Sequence, residues 1–466
     1  MQSSQVLNKK DYILESTLRL AEFLVNTLSE KIPELALLAV RNAFTDCIGG
    51  SIPGSRTESA QIMIRFVQES KSSGDAGVIG ANFRCHSTLA ALANGVSAHA
   101  LDYDDLIRPL GHASAVLVPV GLAMGEELGL PGRKILEAYV LAVEVGAKLG
   151  ACLSPDHGDK GWHSTSTLGA ITGAAMASRL LNLDMDQTCS ALALAVSQAA
   201  GIRLNFGYMA KPFQAGNAAR GGVTAALLAQ KGFSGNPEIF EGPLGFCSLY
   251  GGRPEDLDQA IERLGAPFHL AVSEIQFKRY PCCGGGQQIL DALLLDILPN
   301  VSVKVEEVSQ VEVSVPAFSF GQAMFHRRPK TGLQGKFSSE YCVAAALIDG
   351  KIRLATFTDE AVLRPAAQEF LEKVSVAPHE GEGQDDYSEV TLKLRDGSRH
   401  TARVEHAQGS LIKPLTREQA EQKFRDCAST VLSEKKVAES IALITRLDEA
   451  NDITSLLEGL RVPDRF

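Results

Sequence analysis

Apolar residues recur at helical spacing from the first segments onward. Leu18 to Leu24, Leu35 to Ile48 and Ile62 to Val67 each read as one amphipathic turn set, with Pro33 and Pro53 as punctuation. The same period continues through Ser87 to Ala100, Ala113 to Leu128, Lys134 to Leu153 and Ser166 to Leu181. Asp184 followed by Gln187 reads as a capping box, opening a helix that should run through Ala199. Within this region Gly169 and Gly173, flanked by Ala170, Ala174 and Ala175, form a small face along which a neighbouring helix can come close.

From about residue 268 the texture changes. Val303 to Val315 alternates polar and apolar, while Ser388 to Leu394 and His400 to Val404 flank Asp396-Gly397, a strong hairpin turn signal. Helices are predicted between these strands at Ser339 to Leu347 and Ala361 to Val374, and the Gly-Glu-Gly-Gln-Asp-Asp stretch at 381 to 386 reads as an exposed loop. After Pro414 the helical pattern returns, through Phe424 and Leu432 and then Val437 to Leu447. The expectation is a mainly α protein: a large all-helical domain of residues 1–267 with about 408–466, and a smaller α+β domain of residues 268–407.

Composition narrows the function classes. With 466 residues, 45% of them hydrophobic, the chain can fill more than one core. A net charge of -10 has the wrong sign for gripping nucleic acid or anionic lipid with the whole surface. The amino terminus has no apolar stretch after its charges, and the longest apolar run, from Ala113, stops at Glu126 and Glu127. That is short of the roughly 20 residues a membrane helix needs. The nine cysteines form no C-x-x-C pair, so they read as thiols of a reducing cytoplasm rather than zinc or redox ligands. A soluble cytoplasmic protein, with no nucleic-acid or membrane partner, is expected.

Four clusters could carry chemistry. The first is His99-Ala-Leu-Asp102-Tyr103-Asp104-Asp105 with Arg108 and His112, on an irregular stretch between helices. Carboxylates this close suit proton transfer or a cation site, and a solvated, capped helix end is the plainer account. The second is Lys160 to Ser166, where His163 stands at a helix entrance that favours anions and the hydroxyls offer caps. The third, Tyr208 to Arg220, sets Lys211 beside Pro212, where a lysine could counter a carboxylate or act as a base. The fourth is Phe277-Lys278-Arg279-Tyr280-Pro281-Cys282-Cys283 followed by three glycines, Gln287 and Gln288; it is neither a phosphate loop nor a dinucleotide fingerprint.

Together and in order, these clusters resemble the MmgE/PrpD family, through NGVSAHALDYDD, GHASAVLVPVGLAMGE, HSTSTLGAITGAAMASRLLNL, KPFQAGNAARGGVTAALLAQKGF, FKRYPCC and PKTGLQGKFSSEYCVAAAL. The resemblance covers most of the chain, to about residue 430. It implies a helical domain, an α+β domain, a homodimer, and a cofactor-free and metal-free active site between the domains that moves a proton next to a carboxylate of a small di- or tricarboxylate. The positions matching the family's site are Asp102, His112, His163 and Lys211, with Lys278, Arg279 and Tyr280 near the later motif. Arg108 and Gln287 are added as substrate-binding candidates.

Two departures bear on the reaction. Dehydratase- and decarboxylase-like members resemble one another in a hydroxyl residue after the Asp-Asp pair and a histidine beyond the Tyr/Phe-Pro; here those places hold Leu106 and Cys283 to Gln287. The expected function is therefore cofactor-independent epimerisation of an iminodisuccinate-type dicarboxylate, with His163 or Lys211 as one base. The alternatives are a 2-methylcitrate-type dehydratase or cis-aconitate-type decarboxylase, a silent carboxylate-binding protein, and a metal hydrolase resting on Asp102, Asp104, Asp105 and His112.

Overall fold

Small residues decide how closely the helices of the first region lie. The helices that position the site are α1 (Ser16–Asn26), α2 (Glu34–Gly54), α3 (Ser87–His99), α4 (Ser114–Leu128), α5 (Gly132–Leu153), α6 (Ser164–Leu180), α7 (Met185–Val196) and α8 (Ala210–Gln230). α8 packs between α3 and α6. A Cβ on Gly95 would lie 2.6 Å from the Cα of Gly216, and one on Gly222 would lie 2.5 Å from the carbonyl carbon of Gly173. No side chain fits at either crossing, so backbone meets backbone. The C-terminal end of α3, the N-terminal end of α6 and the N-terminal end of α8 are thereby brought together, carrying His99, His163 and Lys211. Pro212 costs α8 nothing, because first-turn amides have no helical partner.

The computed structural model describes residues 15–153, 156–272, 275–379 and 387–461; the amino-terminal segment and the 381–386 loop lie outside them. The capping box forms, with Gln187 N donating to Asp184 Oδ1 at 2.9 Å, although α7 ends at Val196 rather than Ala199.

Two apolar cores are distinct. One runs from Leu20 to Ile275 and takes in Phe424, Ile441 and Leu457. The other holds Val308, Val311, Val313, Val390 and Leu392 of a sheet, with Ile289 and Leu290 of α9 (Gly284–Asp291) and Tyr341 and Ala345 of α10 (Ser339–Asp349). Phe424 belongs to α11 (Arg417–Ala428), which lies along α2; a Cβ on Gly49 would sit 2.9 Å from the Phe424 ring, so that glycine admits the ring. Helices α12 (Glu434–Thr445) and α13 (Thr454–Leu460) complete this side. The protein is thus mainly α, with a smaller α+β part. Among the described residues, no helix is long and apolar enough to cross a membrane.

The sheet comprises β1 (Val308–Pro316), β2 (Val374–His379), β3 (Ser388–Leu394) and β4 (Arg399–Val404) in the order β2-β1-β3-β4. The spacing Val308-Ser-Gln-Val311 breaks the period of two, and a register shift between Val308 and Gln310 absorbs the extra residue so that both valines stay buried. β3 and β4 form the expected hairpin around Asp396-Gly397. The predicted helix at Ala361 to Val374 needs correction. Pro365 holds Arg364 extended at φ -57 and ψ 137, which splits the segment into Asp359–Leu363 and Pro365–Phe370. From Val374 the chain becomes β2, paired in parallel with β1 through Val311–Val374 and Val313–Val376.

Gly222→Ala should lower stability by about 1–3 kcal/mol through overpacking against α6. Gly50→Ala, where an added Cβ meets nothing within 4 Å, should not. Urea unfolding midpoints of the two variants provide the check.

Candidate active site

The loop after α3 is held by lysines. Asp102 sits in left-handed backbone at φ 51, a costly conformation for a non-glycine residue. Its own carbonyl and those of its two neighbours each accept a different ammonium. Leu101 O takes Lys336 Nζ at 2.6 Å, Asp102 O takes Lys278 Nζ at 2.8 Å, and Tyr103 O takes Lys423 Nζ at 2.8 Å. Lys336 also reaches Pro281 O at 3.0 Å, and Lys423 reaches Lys278 O at 3.0 Å and Asp46 Oδ1 at 2.6 Å. The loops at 101–103 and 278–281 are therefore stitched together by groups from α11, from α2 and from the residue following Gly332–Gly335.

On this frame Asp102 Oδ1 receives Lys211 Nζ at 2.6 Å and Lys278 Nζ at 3.0 Å, and His112 Nε2 stands 3.8 Å away. His99 Nδ1 lies 2.8 Å from Asp104 Oδ2, and His112 Nδ1 lies 3.2 Å from the same oxygen and 2.6 Å from Asp105 O. The His99 ring faces those of His112 and His163, with centroids 4.8 and 5.9 Å apart. One wall is apolar: Phe206 meets His163 edge-on at 5.0 Å, and Lys211 Nζ lies 5.1 Å from Phe206 and 5.2 Å from Phe337.

Burial and charge set the protonation states. Burial alone would raise the Asp102 carboxyl, but Lys211 and Lys278 outweigh it and hold the group well below the usual carboxylate range. Asp104 is likewise ionised, burial being overcome by the imidazoles of His99 and His112. Burial lowers His99 to about 4 against the pull of Asp104. It also holds His163 well below the ordinary range, with Lys211 and His99 acting in the same direction. Lys278 titrates above its ordinary value because Asp102 more than offsets burial, whereas burial brings Lys336 down to about 8. The site therefore sets ammoniums and carboxylates beside the neutral imidazoles of His99 and His163, and among the described residues His99 Nε2, His163 Nε2 and Asp102 Oδ2 are buried without a hydrogen-bond partner. It can bind carboxylates and move a proton.

Of the residues picked from sequence, Asp102, His112, His163, Lys211 and Lys278 come together. Tyr280 donates its hydroxyl to Asp291 Oδ1 at 2.9 Å, toward α9. Gln287 uses its amide on the 279–282 turn, accepting from Arg279 N and Tyr280 N and donating to Tyr280 O. Arg279 packs its guanidinium 5.8 Å from the Tyr280 ring while its carbonyl accepts from Tyr103 Oη. Arg108 lies on the turn closed by Ile107–Gly111 pairing, and its carbonyl accepts from His269. The hydroxyls after His163 do not cap α6; Thr165 Oγ1 instead accepts from His112 N at 3.0 Å.

Of the set behind the metal reading, Asp102, Asp104 and His112 converge and Asp105 does not. Asp105 turns away and accepts from Ser114 Oγ, and burial with nearby Asp46 raises its carboxyl well above the usual range. Donor atoms of His99, Asp102, Asp104 and His112 lie within 4.8 Å of one another. Two lysine ammoniums already lie on Asp102, however, and two imidazoles on Asp104. A further cation would face the repulsion of buried like charge. Sequence reasoning noticed His99 and Asp104 without placing them in the site, and missed Lys336, Gln214 and Lys423. The first two of these lay inside quoted motifs, but Lys423 sits on an ordinary amphipathic helix with no local signal. In the departing positions, Cys283 is buried with its thiol pushed up to about 11 by burial and by Asp102, and Leu106 pairs through its backbone with Gln276.

The chain is similar to known proteins over most of its length. The chain is 30% identical to a cis-aconitate decarboxylase of Mus musculus over 438 residues, covering 90% of this chain and 88% of that protein. It is 28% identical to a cis-aconitate decarboxylase of Aspergillus terreus over 474 residues, covering 96% of each. Residues 18–257 match the MmgE/PrpD N-terminal domain and residues 280–449 match the MmgE/PrpD C-terminal domain. With its first match spanning more than half of the molecule, the chain belongs to the MmgE/PrpD family.

Proposed function

We propose that this protein is a cofactor-independent lyase that decarboxylates a small tricarboxylate of the cis-aconitate type. The observation that carries the reading is the pair of ammoniums, Lys211 and Lys278, gathered on Asp102 next to the bare Nε2 of a neutral His163. In such a reaction the bond to the departing carboxylate breaks and carbon dioxide leaves. The electron pair moves into the unsaturated carbon skeleton, and a proton arrives at a carbon next to a remaining carboxylate. Lys211 and Lys278 would hold the remaining carboxylates and the charge that develops on them. The phenyl rings of Phe206 and Phe337 would favour loss of a neutral molecule over retention of a carboxylate. Burial chiefly, with the field of Lys211, keeps His163 deprotonated; the incoming polyanion offsets that field, so His163 can gain a proton with substrate and pass it to carbon. Relatives named as cis-aconitate decarboxylases, matched over nearly their whole length, support this order of preference.

Epimerisation of an iminodisuccinate-type dicarboxylate is the second reading, favoured by Leu106 and Cys283 in the departing positions. It uses the same groups, with neutral His163 first accepting the proton.

We further propose that the chain divides into residues 1–267 with about 408–466 and residues 268–407, and works as a cytoplasmic homodimer. The two separate cores support a division into these parts, with Phe268, Leu270 and Ile275 joining the helical core, and nine free, buried thiols support a reducing compartment. Exposed Ile202, Leu204, Tyr208, Met209 and Phe213, close together in sequence beside the site, support a covered face.

With cis-aconitate in deuterated buffer, the purified protein should release carbon dioxide and place one deuterium in an unsaturated dicarboxylate. Racemisation and deuterium exchange of an amino- or imino-dicarboxylate without gas release would select the second reading. Lys278→Met should lower kcat/KM about a hundredfold or more, as loss of a charge-stabilising donor does. Extensive dialysis against a chelator should leave the rate unchanged, measured in the same gas-release assay.

A further inference from the structure

We infer that Gln214 is a positioning residue that fixes the tautomer of His163, so that the imidazole presents an unprotonated Nε2 to the substrate. The inference rests on the proton-transfer role proposed above for His163. Gln214 lies on the first turns of α8, three residues after Lys211, and is buried. Its Nε2 donates to Ile202 O at 3.0 Å, and a carbonyl can only accept, which orients the amide. Oε1 therefore faces His163 Nδ1, 2.6 Å away, and the hydrogen must sit on Nδ1. A reversed amide would set its oxygen against Ile202 O.

The surroundings leave the pair little freedom. His163 N donates to Gly201 O at 3.1 Å, and Trp162 pairs with Ile202, so the segment bearing His163 is tied to the segment that orients Gln214. Ser166 Oγ donates to Gln214 O at 3.1 Å, which ties α6 to α8 at the same level. Gly201, at φ 113, passes close over the amide; a Cβ there would lie 3.1 Å from Gln214 Cδ. His163 Nε2 is buried and, among the described residues, has no hydrogen-bond partner, while Lys211, His99 and His112 act electrostatically on the ring. A free imidazole prefers to carry its hydrogen on Nε2, the nitrogen that must be bare here. Without an acceptor at Nδ1, the ring would lose the lone pair that receives or relays the proton.

Protein labelled with ¹⁵N only in histidine tests this directly. The His163 signal, assigned by its loss in His163→Gln, should show a protonated Nδ1 and a bare Nε2. Gln214→Leu should move the hydrogen to Nε2 and lower kcat for cis-aconitate about a hundredfold, with KM changed less than about threefold. Gln214→Glu, buried and protonated on the oxygen that faces Ile202 O, keeps an acceptor of the same reach toward Nδ1 and should return the Nδ1-protonated signal and recover at least about tenfold of the lost rate. A wild-type His163 protonated on Nε2, or a leucine variant that keeps the wild-type tautomer or rate, would overturn the inference. Should the wild type turn over neither cis-aconitate nor a dicarboxylate, the proposed reaction fails. The nitrogen signals still decide the role of Gln214.

Discussion

The balance of buried charge around Asp102 is the constraint on which the rest of the structure depends. Lysine ammoniums rarely leave water, and each one buried here has a counter-charge within reach or main-chain carbonyls to receive its hydrogens. Breaking one member of such a set leaves an uncompensated charge in the interior, typically worth about 3–5 kcal/mol. The arrangement also fixes geometry, because main-chain carbonyls cannot rotate away as side chains can. Asp102, already in unfavourable left-handed backbone, is held there from both sides by its neighbours' bonds.

The helix crossings serve the same end. Gly95 against Gly216 and Gly173 against Gly222 let α8 sink between α3 and α6, so helix ends rather than long side chains determine where Lys211, His99 and His163 stand. Placement by backbone contact is stiff, and stiffness is what proton transfer across about 3 Å requires. The imidazoles are kept neutral mainly because they lie inside this dense packing.

Much of this was legible in the sequence where the signal is local. The helical period, the Gly/Ala face on α6, the Asp184 capping box and the hairpin at Asp396-Gly397 are short-range patterns, and each appears in the fold. Asp102, His112, His163 and Lys211 stand at helix ends and in loops, where polar residues stand out. What was hidden depends on partners distant in sequence. Lys423 meets Tyr103 across 320 residues and Lys336 meets Leu101 across 235, and nothing near either lysine announces a carbonyl. Strand β2, which the predicted helix touches only at Val374, carries no local signal because its partner β1 lies more than fifty residues earlier. Gln287 and Tyr280 looked like ligand groups because their types suit that role, yet local turns and Asp291 claim their polar atoms.

The position of Lys423 has a bearing on how the protein is made. Ribosomes deliver the chain in order, and the stretch bearing Asp46 and the stretch bearing Tyr103 emerge more than three hundred residues before the ammonium that bridges them. Until α11 arrives, a nascent chain carries the Asp46 carboxyl in its first core without its ion-pair partner Lys423. The lysine frame around Asp102 is thus complete only after a helix that follows the α+β part in sequence has docked.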